Sequence, residues 1–165
     1  MRKPKFLVDT MLGRLCTWLR LLGYDAAFVQ ESQRKSMLEK SFLERRILLT
    51  RETKLAHAHA YRTVILRDQH WWDQLNTVWK TLDLGPVARK AVFSRCSGCN
   101  IPLKKIPKAK IDPKKIPPKV LLHHDEFHGC FKCRKIFWPG SHLDITMARL
   151  ETIGIPVSDA AGQSS

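Results

Sequence analysis

The sequence predicts an α/β fold with a mainly parallel sheet, joined to a small zinc-binding ribbon, and three observations carry that expectation. Short apolar runs alternate with amphipathic ones through the first half of the chain. Two C-x-x-C pairs stand in the second half, with 30 residues between them. Finally, 29 Lys and Arg face 15 Asp and Glu, a formal charge of +14, which is the footprint of a protein with a polyanionic partner.

Taken in order, "KFLVD" reads as a buried strand and "TMLGRLCTWLRLLG" as a helix. Leu12, Leu15, Cys16, Leu19 and Leu22 share one face of that helix, and Gly23 is its stop signal. "YDAAFV" reads as a second strand, "KSMLEKSFLERR" as a helix, "ILLT" as a strand, "ETKLAHAHA" as a short helix and "TVILR" as a strand. The helix "WWDQLNTVWKTLDL" follows, its core face marked by Leu75, Trp79 and Leu82. Strands alternating with helices argue for a parallel sheet covered on both faces. The expected organisation is an α/β unit over residues 1–92, a ribbon over 93–150 and a disordered tail over 151–165, ending in "SDAAGQSS".

With 165 residues, 44% of them hydrophobic, the chain can bury a packed core. No run approaches the roughly 18 consecutive apolar residues of a membrane span, and "MRKPKFLVDT" has too short an apolar stretch for a signal peptide. A cytoplasmic protein without a membrane partner is therefore expected. The positive excess is shared, with 17 basic and 9 acidic residues through Phe93 and 12 and 6 beyond it. No basic amphipathic anchor helix favours lipid, so nucleic acid is the expected polyanion.

Cys96 and Cys99 in "CSGC" and Cys130 and Cys133 in "CFKC" form a strong zinc signature. Each C-x-x-C makes a knuckle that directs two sulfurs at one point, and two knuckles complete the tetrahedron zinc prefers. Four thiolates leave no open position for a water, so this zinc is structural, and His123, His124 and His128 are not needed as ligands. Disulfides are the poorer alternative, since nothing suggests secretion. Cys16 belongs to the core. Between the knuckles, "PLKKIPKAKIDPKKIPPKV" carries seven Lys, one Asp and five Pro and reads as an extended basic arm. Lys104, Lys105, Lys108 and Lys110 suit phosphate contact, the alternative being a merely flexible loop.

In an open parallel sheet the ligand crevice lies beyond the carboxyl ends of the strands. Asp9 stands at one such end, Glu52 follows another, and Asp68 follows "TVILR" as a third acid. Clustered carboxylates there suit a divalent cation, Mg²⁺ or Mn²⁺, which can activate a water against a phosphodiester. The competing reading of Asp9 is an N-cap of the next helix. Arg14 and Arg51 are placed to hold a substrate phosphate, or else form structural ion pairs. Trp71, Trp72, Trp79 and Trp138 can stack unpaired bases, Trp138 being the best placed and Trp79 a core residue.

The run "FLVDTMLGRLCTWLRLLGYD", followed by "RILLTRE", "RCSGCN" and "FWPGSH", resembles the Mut-seven C-terminal RNase domain family over roughly residues 5 to 150. The resemblance implies a PIN-like three-layer α/β/α sandwich with a zinc ribbon, acting as a metal-dependent RNase. It matches Asp9 to the first PIN acid and Glu52 to the acid that is usually Asp in the family's "LLTRD". It also includes Asp25, which reads as structural, and His142, a candidate RNA contact. The family commonly has a further acid around "QRKSMLEK", where this chain has Arg34, Lys35 and Ser36, with Glu31 and Glu39 as displaced substitutes. The leading expectation is a Mg/Mn-dependent endoribonuclease acting on single-stranded or structured RNA such as tRNA. The rival is a catalytically weak RNA-binding module that kept the fold.

Overall fold

The computed structural model describes residues 3–29 and 34–158. Strand β1 (Lys5–Val8) is followed by a single 3-10 turn, Thr10–Leu12, and helix α1 (Gly13–Leu21). Then come β2 (Asp25–Phe28), α2 (Arg34–Leu43), β3 (Arg46–Thr50), β4 (Arg62–Ile65) and α3 (Trp71–Leu82). The four strands form one parallel sheet in the order β2-β1-β3-β4, in which β1 pairs with both β2 and β3.

Alternation along the strands divides the core. Phe6, Val8, Ile47 and Leu49 face α1 and α3 on one side, whereas Leu7 and Leu48 face Met37 of α2 on the other. Helices therefore cover both faces, as the alternation of elements predicts. The expected helix over 52–60 shrinks to one 3-10 turn, Thr53–Leu55. Leu55 is its only buried residue, and the alanines that follow offer too little apolar surface to hold a longer helix in place.

Gly23 ends α1 with φ of +83°, and a Cβ there would lie 2.6 Å from the Ala91 carbonyl and the Ser94 hydroxyl. Only glycine allows both the left-handed turn and this close crossing. The Phe93 N–H donates to the Leu21 carbonyl at 2.7 Å, tying the end of α1 to the next segment.

That segment contains β5 (Val87–Ala88), β6 (Lys104–Ile106), α4 (Pro118–His123), β7 (Phe127–Gly129) and β8 (Ile136–Phe137). Strands β6, β7 and β8 make a small antiparallel sheet. The lysine-rich stretch is not an extended arm: 3-10 turns at Lys108–Lys110 and Pro113–Lys115 and helix α4 fold it around Ile111, Ile116 and Phe127. Ile106, Ile111 and Ile116 recur every five residues and pin it, while prolines open the turns, where a missing N–H costs nothing.

The chain then returns to the first core through α5 (Ser141–Thr152) and β9 (Val157–Ser158). Met147, Leu150 and Ile155 are buried with α1 and α3, and β9 pairs in parallel with β5. The expected tail is thus corrected over 151–158, where Ile155 supplies apolar area that the large core takes up; residues 159–165 lie outside the described residues. No helix of the described residues is long and apolar enough to cross a membrane.

Candidate functional site

The strand order 2-1-3-4 places a topological switch point between β1 and β3, where open α/β sheets bind ligands. Asp9 and the Thr50–Glu52 segment stand at that point, and the Asp9 N–H donates to the Leu49 carbonyl at 3.0 Å. One Asp9 oxygen accepts from the Thr10 N–H at 2.6 Å and caps the following turn. The other accepts from the Thr50 hydroxyl at 2.6 Å, and that hydroxyl in turn accepts from the Glu52 N–H at 3.0 Å. Buried Thr50 is the residue that couples the two strand ends, and sequence reasoning missed it because a threonine inside "ILLTRE" reads as strand propensity.

The capping bond and the crevice location coexist at Asp9. Glu52 is half-buried and turned toward α2, where Arg34 grips both its oxygens, one of them through Nε at 3.1 Å. The half-buried Asp68 lies past β4; its carboxylate accepts from the Thr77 hydroxyl of α3 at 2.8 Å, and its backbone carbonyl accepts from Gln74 at 3.0 Å. Asp9, Glu52 and Asp68 do not meet as a ligand set, and among the described residues no three carboxylates come within 4.8 Å of one another. Glu39 is exposed on α2, and Glu31 lies outside the described residues. Arg14 is exposed on the first turn of α1 and Arg51 is half-buried after β3, both on the crevice side of the sheet.

The cysteines behave differently. The sulfurs of Cys96, Cys99, Cys130 and Cys133 all lie within 4.8 Å of one another. The Cys96–Cys133 separation is 3.8 Å, close to the edge of a tetrahedron with bonds of about 2.3 Å to its centre. Each knuckle is built alike. The Cys99 N–H points at the Cys96 sulfur (3.4 Å) and the Cys133 N–H at the Cys130 sulfur (3.5 Å). Asn100 and Arg134 each close their knuckle in the left-handed conformation, φ 61° and 59°. Burial alone would raise the Cys130 thiol, but N–H groups of Cys133 and Lys132 outweigh it and bring it to about 7. The set can hold a metal ion such as zinc.

Asn100 also anchors the first knuckle to the sheet. Its amide donates to Asp25 at 2.7 Å and its oxygen accepts from the Ala26 N–H at 3.0 Å, while Arg20 donates to the carbonyls of Ser97 and Gly98. Asp25 completes a bidentate pair with Arg46 at 2.7 and 3.2 Å. Burial would raise its carboxyl, but the bonds from Arg46 and Asn100 outweigh that and hold it below the ordinary value. Asp25 is structural, as expected, and the Asn in "RCSGCN" was the available sign of this anchor.

All four expected lysine contacts are exposed. Lys105 and Lys108 face Glu126 and Asp125 at 4.0 and 2.8 Å, and the Lys104 ammonium stands 5.4 Å over the Phe131 ring. Lys110 has no carboxylate partner among the described residues. Trp138 is half-buried against the small core of Ile111, Ile116 and Phe127, and His142 is exposed at the start of α5; both line one groove beside α1.

The family model of the Mut7-C RNAse domain matches residues 4–150. The chain belongs to the Mut7-C RNAse domain family. No curated protein and no solved structure matches it. A ribonuclease-like function with RNA as the bound polymer follows for this Mut7-C domain at the level of the family. The crevice does not fit the divalent ion that the resemblance implies: Asp9, Glu52 and Asp68 do not converge, and Glu52 is paired with Arg34.

Proposed function

We propose that the protein is an RNA-binding member of the Mut7-C RNAse family, in which a PIN-like sandwich and a zinc ribbon are kept while the metal chemistry of the crevice is suppressed. The observation that carries this reading is Arg34. A guanidinium clamped on Glu52 supplies the positive charge that a divalent ion would otherwise bring, so the carboxylate is neutralised from within the chain. Binding itself rests on the net charge of +14 and on the exposed lysines of the folded arm, which release counterions when they meet phosphates. Cys96, Cys99, Cys130 and Cys133 would hold a structural zinc that keeps that surface in place.

A second reading, the Mg/Mn-dependent endoribonuclease acting on single-stranded or tRNA-like RNA, has one observation in its favour. Asp9 stands at the switch point, linked through the Thr50 hydroxyl to Glu52, with Arg14 and Arg51 nearby for phosphate.

The two readings separate in one set of measurements on wild type, Asp9→Asn and Arg34→Asp, with RNA cleavage and Mn²⁺ calorimetry as the readouts. The binding reading expects no metal-stimulated cleavage by wild type, no Mn²⁺ uptake at the crevice at millimolar concentration, and RNA affinity unchanged or raised in Asp9→Asn. It also expects Arg34→Asp to gain Mn²⁺ affinity, since a third carboxylate replaces the internal cation. Metal-stimulated cleavage that falls about 100-fold or more in Asp9→Asn, with stability unchanged because Asn caps as well as Asp, would establish the nuclease instead.

A further inference from the structure

Where α1, β8 and α5 meet, the surface opens into a groove of about 460 Å³. That size suits one small planar group, such as a single base presented by a longer chain. Its walls are aromatic, built by Trp18 of α1, Phe93, and Phe137 and Trp138 from β8 and its end. Its polar groups are few: His142, the Thr146 hydroxyl and the Arg149 guanidinium.

Arg149 distinguishes this groove from an ordinary apolar seam. Its guanidinium carbon stands 5.7 Å from the Trp71 ring centre, and Trp71 stacks on Trp18 at 4.3 Å with their planes 10° apart. Guanidinium, indole and indole thus form a ladder that ends at the groove wall. Among the described residues no carboxylate pairs with Arg149; Asp144, on the same helix, is paired with Arg89. A guanidinium in cation–π contact with an aromatic ring keeps its N–H donors, and a guanidinium without a carboxylate partner can offer them to a phosphate. Aromatic walls for a base and an unneutralised planar cation for a phosphate together describe a nucleotide. The groove is separate from the crevice, since neither Asp9, Thr50 nor Glu52 lines it.

We propose that this groove is a nucleobase-binding subsite for a single-stranded stretch of RNA, in which Trp138 and Trp18 flank the base and Arg149 takes the adjoining phosphate. The proposal rests on the RNA-binding reading and adds to it a place and a preference, single strand over duplex, since a paired base cannot enter a groove between rings.

The test uses the full zinc-loaded chain, a hexamer of oligouridylate and a duplex RNA of equal length. Arg149→Gln and Trp138→Ala should each weaken hexamer binding by about tenfold and leave duplex binding unchanged, and Trp138→Phe should restore most of the loss. Zinc content and circular dichroism are followed in parallel, and Arg149→Gln, which removes no core atom, carries the test if Trp138→Ala unfolds. Hexamer affinity equal in wild type and Arg149→Gln overturns the subsite while leaving RNA binding elsewhere intact. A wild type that binds neither RNA removes the reading beneath it as well. Loss of self-association in Arg149→Gln, with RNA affinity unchanged, would assign the groove to a second copy of the chain and overturn the proposal too.

Discussion

The cysteine cluster and the carboxylates of the crevice both look like ligand sets in the sequence, yet only the cysteines converge. The difference lies in how each set is assembled. A C-x-x-C knuckle fixes two sulfurs through a local turn, with one N–H aimed at a sulfur in each, so the spacing dictates the geometry. Asp9, Glu52 and Asp68 come from three strand ends, and each carboxylate has a nearer partner: Thr10 and Thr50, Arg34, and Thr77. A site assembled across a sheet survives only if no competing donor grows beside each acid. Here one has, at Arg34.

The sharpest way to break this comparison is at the cysteines. Elemental analysis should find one zinc per chain, and Cys96→Ser or Cys130→Ser should release it and unfold the antiparallel sheet, a loss on the order of 10 kcal/mol in metal-linked folding energy. Reduced, chelator-free protein without zinc would put both ligand sets on the same footing.

A smaller effect belongs to the anchor between the two regions. Asp25→Asn should lower stability at neutral pH by about 2 kcal/mol, because Arg46 and Asn100 lose a charged acceptor. Since the folded carboxyl lies below its ordinary 3.8, the folded state binds this proton less tightly than the unfolded chain does. Its contribution is therefore full above about pH 4 and drains as the pH falls through the folded value. Denaturant midpoints measured across the acid range should show a shallower decline in the variant than in wild type.

The smallest effect is a slope. Neutralising Lys104, Lys110, Lys114 and Lys115 should lower the dependence of log RNA affinity on log salt by up to about three units, at roughly 0.7 per single-strand contact. Replacing Lys105 and Lys108 should change it less, because Glu126 and Asp125 already compete for those charges. Equal slopes for the two sets would place RNA on another surface.

The sheet and its covering helices were legible because period and length agreed in each element: Phe6 and Val8 against Leu7, and Leu15, Cys16 and Leu19 on one face of α1. The clustering of the four cysteines was legible from spacing alone. The fold of the basic arm was hidden because prolines and lysines outnumber the three isoleucines that organise it. The fate of Glu52 was hidden for another reason. Arg34 is 18 residues away and solvent-facing, and a charge on an amphipathic helix says nothing about which neighbour it will choose. The groove was only half visible: Trp138 and His142 stood out, but the partners that shape it, Trp18 and Arg149, come from helices far apart in the chain.

The pairing of β5 with β9 makes the cysteine unit a parenthesis inside the α/β core. During synthesis, the parallel sheet and its first helices leave the ribosome early, yet the apolar face awaiting Met147, Leu150 and Ile155 stays bare until the parenthesis is complete. A metal ion held by the four cysteines would draw that long intervening loop together and shorten the search of the later segment for its place. Metal supply to the growing chain would then govern how long the unfinished core is exposed.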